Sequence, residues 1–436
     1  MNIEKIRKEV SQFLKDYKMS YEDIDFEKEA SQFANQMIKG LSSQSSLKMI
    51  PTYIDPFSTF SYGEPIIVLD AGGTNFRRAV VTIKEDKILV EDLQIYPMPG
   101  ADKVISRDEF FKIIVQYISP IINKSNKIGF CFSYPVEILS NTDGKVLSMT
   151  KELKITDIES TILGETLNYY LCQGGYEGNK KVAVLNDTTA VLLSGIGVSQ
   201  TYKYDTFIGL ILGTGTNTCY MEKSKNVLKD KLLSKKEGHT LINIESGGYS
   251  PLFRGAIDES LDQKSNDPGN QLFEKMISGA YQGPLVFESL MRAGKDGLLT
   301  KKIIEEVPSI SSKDVSDFLL NPFSNEKSLG QAISKHGTYE DRIKIYLLID
   351  ELIERGAMLL AMNVNAILKK TGRGKNPCEP VCLTIDGSTF YGSPVFQNKF
   401  DYYLKTYLEN KGFYIRRKKV ENGTLVGAAM AALMVF

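Results

Sequence analysis

Apolar residues return at helical spacing through the first part of the chain: Ile6, Val10, Phe13 and Leu14, then Phe33, Ala34, Met37 and Ile38, which predicts helices within residues 1–50. The period then changes. "IIVLDA", "FRRAVVTI" and "ILVEDLQIY" are strand-length runs separated by "GGTN" and "KEDK", so residues 65–97 read as three short strands joined by turns. Beyond them "RDEFFKIIVQYISPII" predicts a helix, "KIGFCFSYP" a strand, "DIESTILGETLNYYLCQ" a second helix and "KVAVLND" another strand. A meander followed by βαβ units is the pattern of an α/β domain.

The device then repeats. "DTFIGLILGTGTNTCYME" (205–222) is again strand, glycine turn, strand. "LDAGGTN" and "LILGTGTN" hold equivalent places in two similar strand patterns, which suggests two related α/β halves. Long helical patterns fill 270–295 and 340–370, and "VCLTIDGSTFYG" predicts a last strand and turn before more helix. No low-complexity linker separates the halves, so a close interface is expected, and a cleft between such halves is a natural ligand site.

Composition narrows the function classes. The chain has 436 residues, 42% hydrophobic and 24% charged, with 53 basic and 53 acidic side chains. A neutral chain has no global electrostatic reason to bind nucleic acid or an anionic membrane. The basic run "YIRRKK" (414–419) reads as a solvated face. Five cysteines and two histidines argue against a zinc site, and Cys131, Cys219 and Cys382, in apolar runs, read as buried free thiols of a reducing compartment. The charged N-terminus lacks the apolar core of a signal peptide, and "LVGAAMAALMVF" (425–436) is too short to span a bilayer. A soluble, cytoplasmic protein is expected.

The glycine turns carry the chemistry. Glycine lets a backbone approach a ligand closely, and successive exposed N–H groups make an anion-binding concavity. "DAGGTN" would face a phosphate with Gly72, Gly73 and Thr74, while Asp70 could help hold a hydrated Mg²⁺. In "GTGTN", Gly213, Thr214, Gly215 and Thr216 would serve a second set of phosphate oxygens. Taken singly, each turn reads equally well as a hairpin turn. No GxxxxGK[ST] occurs and "GTGTNT" fails GxGxxG, so P-loop and Rossmann readings do not apply. "VAVLNDTTA" sets Asn186 and Asp187 at the end of an apolar strand. A half-desolvated carboxylate there can act as a general base for a hydroxyl; alone, Asp187 reads first as a helix N-cap, and the two phosphate turns favour the base.

With these residues in view, the chain resembles hexokinases of the eukaryotic type, within the actin-like ATPase superfamily, in order from about residue 60 to the C-terminus. "LDAGGTNFR" resembles the first phosphate motif, and "GFCFSYPVE" with "MTKEL" the sugar-binding segment. "VLNDTTA" is similar to the segment bearing the catalytic aspartate, and "GTGTNTCYME" to the second phosphate motif. "INIESGGYS" resembles the glutamate-bearing sugar loop, "TIDGSTFY" the adenosine motif, and "DPGNQLFEKMISGAYQG" is the most specific run.

The resemblance implies a fold of two actin-like (ribonuclease H-like) α/β domains with a deep interdomain cleft. The smaller would hold residues 60–200 and a C-terminal helix at 418–436, and the larger 201–417 with the N-terminal helices at 1–59. It implies an ATP-dependent hexokinase acting on D-glucose, the first step of glycolysis, with Mg²⁺ and ATP. Ser133, Thr150, Lys151, Asn186, Asp187, Asn217, Glu245, Gln271 and Glu274 would hold the sugar, with Asp187 taking the 6-hydroxyl proton. Asp70 would stand in the Mg²⁺ shell, and Thr74, Asn75, Arg77 and Thr216 would face ATP phosphates. Gly387 and Ser388 would lie by the adenosine. The chain departs from the family's pattern at Ser246, where a tryptophan is usual, at "MTKEL", at Ala71 and Arg78, and in "GTLVGAA". The rival readings are a kinase for another sugar and a non-catalytic sugar sensor.

Overall fold

The computed structural model describes residues 2–73, 75–148, 153–199 and 202–436. Two open sheets organise the chain, and both have the same core topology. In the first, Pro65–Gly72, Asn75–Ile83 and Ile88–Pro97 form the predicted antiparallel meander. Lys127–Phe132 and then Lys181–Leu185 extend it in parallel. In the second sheet Thr206–Leu212, Thr216–Lys223 and His239–Asn243 form the meander, and Val381–Asp386 and Ile415–Lys418 extend it in parallel. The short strand Ile50–Pro51 is added at one edge. The expectation of two related halves therefore holds at the level of strand order.

The fifth strand of each sheet is followed by a helix, and the two helices are exchanged between sheets. Asp187–Gly197 leaves the first sheet and packs on the second, where Gly209 lies so close that a Cβ would stand 2.6 Å from the Thr188 carbonyl oxygen. Gly423–Val435 leaves the second sheet and packs on the first, where a Cβ on Gly129 would stand 2.0 Å from the Ala428 carbonyl oxygen. Glycine is needed at both crossings because backbone meets backbone there. A helix enclosed between two sheets has no solvent face, which is why Gly423 through Met434 are all buried. The apolar layer between the sheets joins Ile66, Val68, Leu192, Leu425 and Ala429 to Cys219, Met221 and Leu241.

The outer faces carry the other cores. Arg107–Ile118 and Leu163–Gln173 cover the first sheet through Phe110, Ile114 and Leu167. The N-terminal helices Ile3–Asp16 and Phe26–Ser42 and the long helix Tyr339–Thr371 belong to the largest core, on the second sheet.

Two predicted helices are shorter than their patterns. Arg107–Ile118 gives way to a 3₁₀ turn where Pro120 removes a backbone donor. The second starts at Leu163 rather than near Asp157, because Asp157 and Ser160 hold left-handed φ of 59° and 64°. "YIRRKK" is not merely a solvated face: Ile415–Lys418 is the edge strand of the second sheet, with Arg416 and Arg417 exposed on it. Among the described residues no helix is long and apolar enough to cross a membrane.

The parallel strands of each sheet end in the predicted motifs. In the first sheet they run into Asp70–Gly73, Ser133 and Asn186–Asp187; in the second into Gly213–Gly215 and Asp386–Gly387. The carboxyl ends of parallel strands are where open α/β sheets bind ligands.

Candidate active site

Asp70 is the inward residue at the end of its strand and is 4% exposed. Its register neighbours are Arg77 on one side and Cys131 on the other. One carboxylate oxygen, Oδ2, accepts hydrogen bonds from both the Nε (3.0 Å) and Nη2 of Arg77, and from the Thr424 hydroxyl at 2.9 Å. Arg77 Nη2 also donates to Thr424 at 2.8 Å. The start of the C-terminal helix is thereby tied to the first glycine turn. Gly72 and Gly73 follow, with Gly73 exposed at φ +55° and open space around it. Ser133 closes in from the neighbouring strand, its hydroxyl 3.0 Å from where a Cβ on Gly72 would stand. Asn75 is exposed at the start of the next strand; Thr74 lies outside the described residues, as do Thr150 and Lys151.

Asn186, not Asp187, is the N-cap of the following helix: its side-chain oxygen accepts the Thr188 N–H at 2.9 Å. Asp187 is the first helical residue, with one carboxylate oxygen on the same N–H at 2.7 Å. Burial pushes its pKa up to about 6; the Thr188 N–H opposes this, and the charges of Asp70 and Glu245 add to it. Cys131, between the strands that carry Asp70 and Asp187, is fully buried, and burial with both carboxylates nearby holds its thiol well above its usual pKa. It is a neutral filler beneath the site, not a nucleophile.

The second half contributes a network. Glu245 sits in the left-handed region at φ 59° and Gln271 at φ 50°, both costly for non-glycine residues, so their surroundings must hold them there. Glu245 Oε1 accepts from Asn243 at 2.8 Å and from Asn217 at 3.2 Å, and Asn217 donates also to Asn243 at 2.7 Å. The Asn217 oxygen accepts the N–H groups of Thr218 (2.7 Å) and Ser246 (3.2 Å), so both ends of this side chain brace the loop around Glu245. Asn243, 4% exposed, was not predicted as a site residue; its role is visible only through these partners.

Glu274 Oε2 accepts the Thr216 N–H at 2.9 Å across the second glycine turn. Burial pushes Glu274 up to about 7, with Glu245 and Asp267 raising it further. Thr216 gives its N–H to Glu274 and its hydroxyl to the Ile211 carbonyl at 3.0 Å, and it is 5% exposed. The turn itself is braced from behind. Gly279 N–H and the Thr389 hydroxyl both reach the Gly213 carbonyl, at 2.9 and 2.8 Å, and Ala280 N–H reaches Thr214 at 3.0 Å. Thr214 is exposed and Gly215 half-buried against Glu274. Gly387, at φ +119°, lies where a Cβ would stand 2.2 Å from the Leu212 carbonyl oxygen, so the second glycine turn and the Asp386–Gly387 turn are neighbours, with Ser388 exposed beside them.

Of the predicted set, then, the first sheet brings Asp70, Arg77, Ser133, Asn186 and Asp187 to one wall. The second brings Asn217, Glu245, Gln271, Glu274, Gly213–Gly215 and Gly387 to the other. The walls meet electrostatically, since Asp187 feels both Asp70 and Glu245. Phosphate-accepting turns and a desolvated carboxylate at one meeting point can do phosphoryl transfer to a hydroxyl.

Two family models described as "Hexokinase" match the chain, one over residues 9–196 and one over 207–434. Glucokinase-1 of Kluyveromyces lactis is 31% identical over 450 aligned residues, covering 92% of this chain and 93% of that protein. Hexokinase-1 of Homo sapiens is 28% identical, covering 93% of this chain but 46% of its own length, so the chain spans about half of that relative. Among solved structures, a hexokinase from Schistosoma mansoni complexed with glucose matches with a TM-score of 0.77 at 24% identity, covering 99% of this chain and all of that one.

Proposed function

Because this chain belongs to the hexokinase family, we propose that it transfers the γ-phosphoryl group of ATP to the 6-hydroxyl of D-glucose. The observation that carries the reading is that Asp70 and, two residues beyond Leu185, the half-buried Asp187 stand at the carboxyl ends of strands on either side of Cys131, with a glycine turn after the first strand of each sheet. Residues 60–200 with 418–436, and 201–417 with 1–59, act as the two bodies that close over the sugar. Because the sugar contacts come from both walls, glucose binds the closed form better and shifts the population toward it. Small-angle scattering should show a smaller radius of gyration at saturating glucose; an unchanged radius would contradict that division.

Asp187, as a carboxylate, takes the proton of the 6-hydroxyl, and a pKa near the working pH suits a general base. Asn186 caps its helix through its oxygen, leaving its amide N–H₂ for the sugar. Glu245 and Glu274 each use one oxygen in the scaffold and keep the other for sugar hydroxyls. Gln271 and Ser133 complete the contacts, with Thr150 and Lys151 assigned by family resemblance. Sites that hydrogen-bond hydroxyls this densely discriminate by leaving their own buried groups unpaired with the wrong sugar. Water is the competing acceptor, so closure of the cleft must exclude it.

Mg²⁺ fits this donor set. Among the described residues no group of three or more His, Cys, Asp or Glu side chains could hold a metal. That suits an ion which commonly rides on one or two carboxylates, waters and substrate phosphates. Asp70 would be that carboxylate, with Arg77 and Thr424 both held on its Oδ2. When bound, Mg²⁺ neutralises charge on the β- and γ-phosphates. Arg77, Gly72, Gly73, Thr74, Asn75, Gly213, Thr214 and Gly215 would meet phosphates, and Gly387 and Ser388 the adenosine.

ADP release with and without glucose, then across a panel of hexoses and N-acetylated hexosamines, tests the proposal. Strong stimulation by glucose is expected. Preference for another sugar would favour the rival kinase, and no turnover with any sugar the protein binds would favour a sensor.

The pH profile is a further check. Both Asp187 and Glu274 must be carboxylates for the base and the sugar contact, so kcat/KM for glucose should fall as pH drops through about 7 and about 6. Glu274→Gln should remove the upper of the two steps. A profile flat from pH 8 to 5 would contradict both assignments.

A further inference from the structure

The helix Leu272–Ile277 carries two charged residues in succession, Glu274 and Lys275, and successive side chains leave a helix about 100° apart. Glu274 reaches the second glycine turn, whereas Lys275 turns inward and is 3% exposed. Its ammonium donates to Asp262 Oδ1 at 2.7 Å and to the Asp267 carbonyl at 2.9 Å, with the Asp267 carboxylate at 3.1 Å. All three of its donors find an acceptor. Asp262, 4% exposed in the last turn of the helix Ala256–Gln263, accepts the Gly269 N–H through both oxygens at 3.1 Å. Arg254 stands 3.7 Å away. One ion pair thus clamps the segment 262–275 at its entrance, its middle and its exit.

That segment delivers Gln271 in the left-handed conformation and Glu274 three positions later. The Gln271 side-chain oxygen lies 2.6 Å from where a Cβ on Gly247 would stand, so the clamped loop also abuts the sugar loop behind Glu245. We propose that Lys275 and Asp262 are positioning residues for sugar recognition, setting Gln271 and Glu274 through their buried ion pair while touching neither sugar nor nucleotide. The inference rests on the hexose-kinase reading and adds to it two residues whose charges are spent on the loop.

The test separates positioning from plain stability. Lys275→Met should raise the glucose KM about tenfold or more, because small displacements of binding groups are costly, while kcat at saturating glucose and the KM for ATP change less than about threefold. A residue that served only folding would lower the active fraction, and so the apparent kcat, without moving KM. Lys370→Met is the control: Lys370 is 6% exposed and pairs with the buried Glu222, outside the site. It should lower the melting temperature and leave the glucose KM alone. If Lys275→Met does not fold, the double variant Lys275→Met/Asp262→Leu removes both charges and avoids a lone buried carboxylate; its glucose KM should remain raised. Wild-type turnover with an unchanged glucose KM in the folded variant would overturn this inference alone. A wild-type protein without glucose-dependent ADP release would overturn the kinase reading beneath it.

Discussion

Asp187→Ala is expected to lower kcat for glucose phosphorylation by at least about 10²-fold, the loss that follows removal of a general base. Stability should survive the change, for two reasons. The helix keeps its cap, because Asn186 still accepts the Thr188 N–H at 2.9 Å. The lost carboxylate is also one that folding disfavours in its charged form, since burial raises its pKa from 3.8 to about 6. A carboxyl group whose folded pKa is raised contributes stability below its unfolded pKa and loses it as pH rises through the folded value. At pH 7 to 8 alanine therefore removes a half-buried charge that desolvation disfavours. Steady-state kinetics beside a thermal melt checks both halves. Near-normal turnover would leave Asp187 as a helix residue and no more.

Asp70→Asn should reduce kcat/KM for Mg·ATP by roughly 10²-fold with glucose affinity nearly intact, the scale of losing one preorganised charge at a developing phosphoryl group. Asparagine keeps an acceptor for Thr424 and Arg77 but leaves the Arg77 guanidinium without its counter-charge beside the first glycine turn. Asp70 also raises the pKa of Asp187, so the acid limb of the pH profile should move to lower pH in this variant. Calorimetry with glucose and with Mg·ADP separates the two ligands. Equal loss of glucose affinity would contradict the assignment of Asp70 to the phosphate side.

What the chain shows by itself, and what it hides, divides by the reach of the interaction. The strand-end positions of Asp70, Asp187 and the two glycine turns could be read because an apolar run closed by a carboxylate or glycines is a local pattern. The repeat of strand, turn, strand at "LDAGGTN" and "LILGTGTN" foretold two sheets of one topology. The exchange of helices between those sheets could not be foreseen, since it depends on Gly129 and Gly209 meeting backbone far away in sequence.

Nothing local to Thr216 says that Glu274, 58 positions on, takes its N–H. The bonds of Asn217 to Asn243, Glu245 and Ser246 are equally hidden, since all three partners lie more than twenty positions away. The helix expected from Asp157 starts at Leu163 because Asp143, from another loop, takes the N–H groups of Gly164 and Glu165 at 2.7 and 3.0 Å. Lys275 lies inside the most specific motif and Asp262 five positions before it, yet their pairing appears only once the loop between them is closed.

The most direct test of the central claim is ³¹P nuclear magnetic resonance of the protein mixed with Mg·ATP and D-glucose. The account predicts that ATP is converted to ADP and a single sugar phosphate in equal amounts, the phosphorus coupled to the two protons on carbon 6. ADP accompanied by inorganic phosphate alone, or phosphate carried on another sugar position, would contradict it.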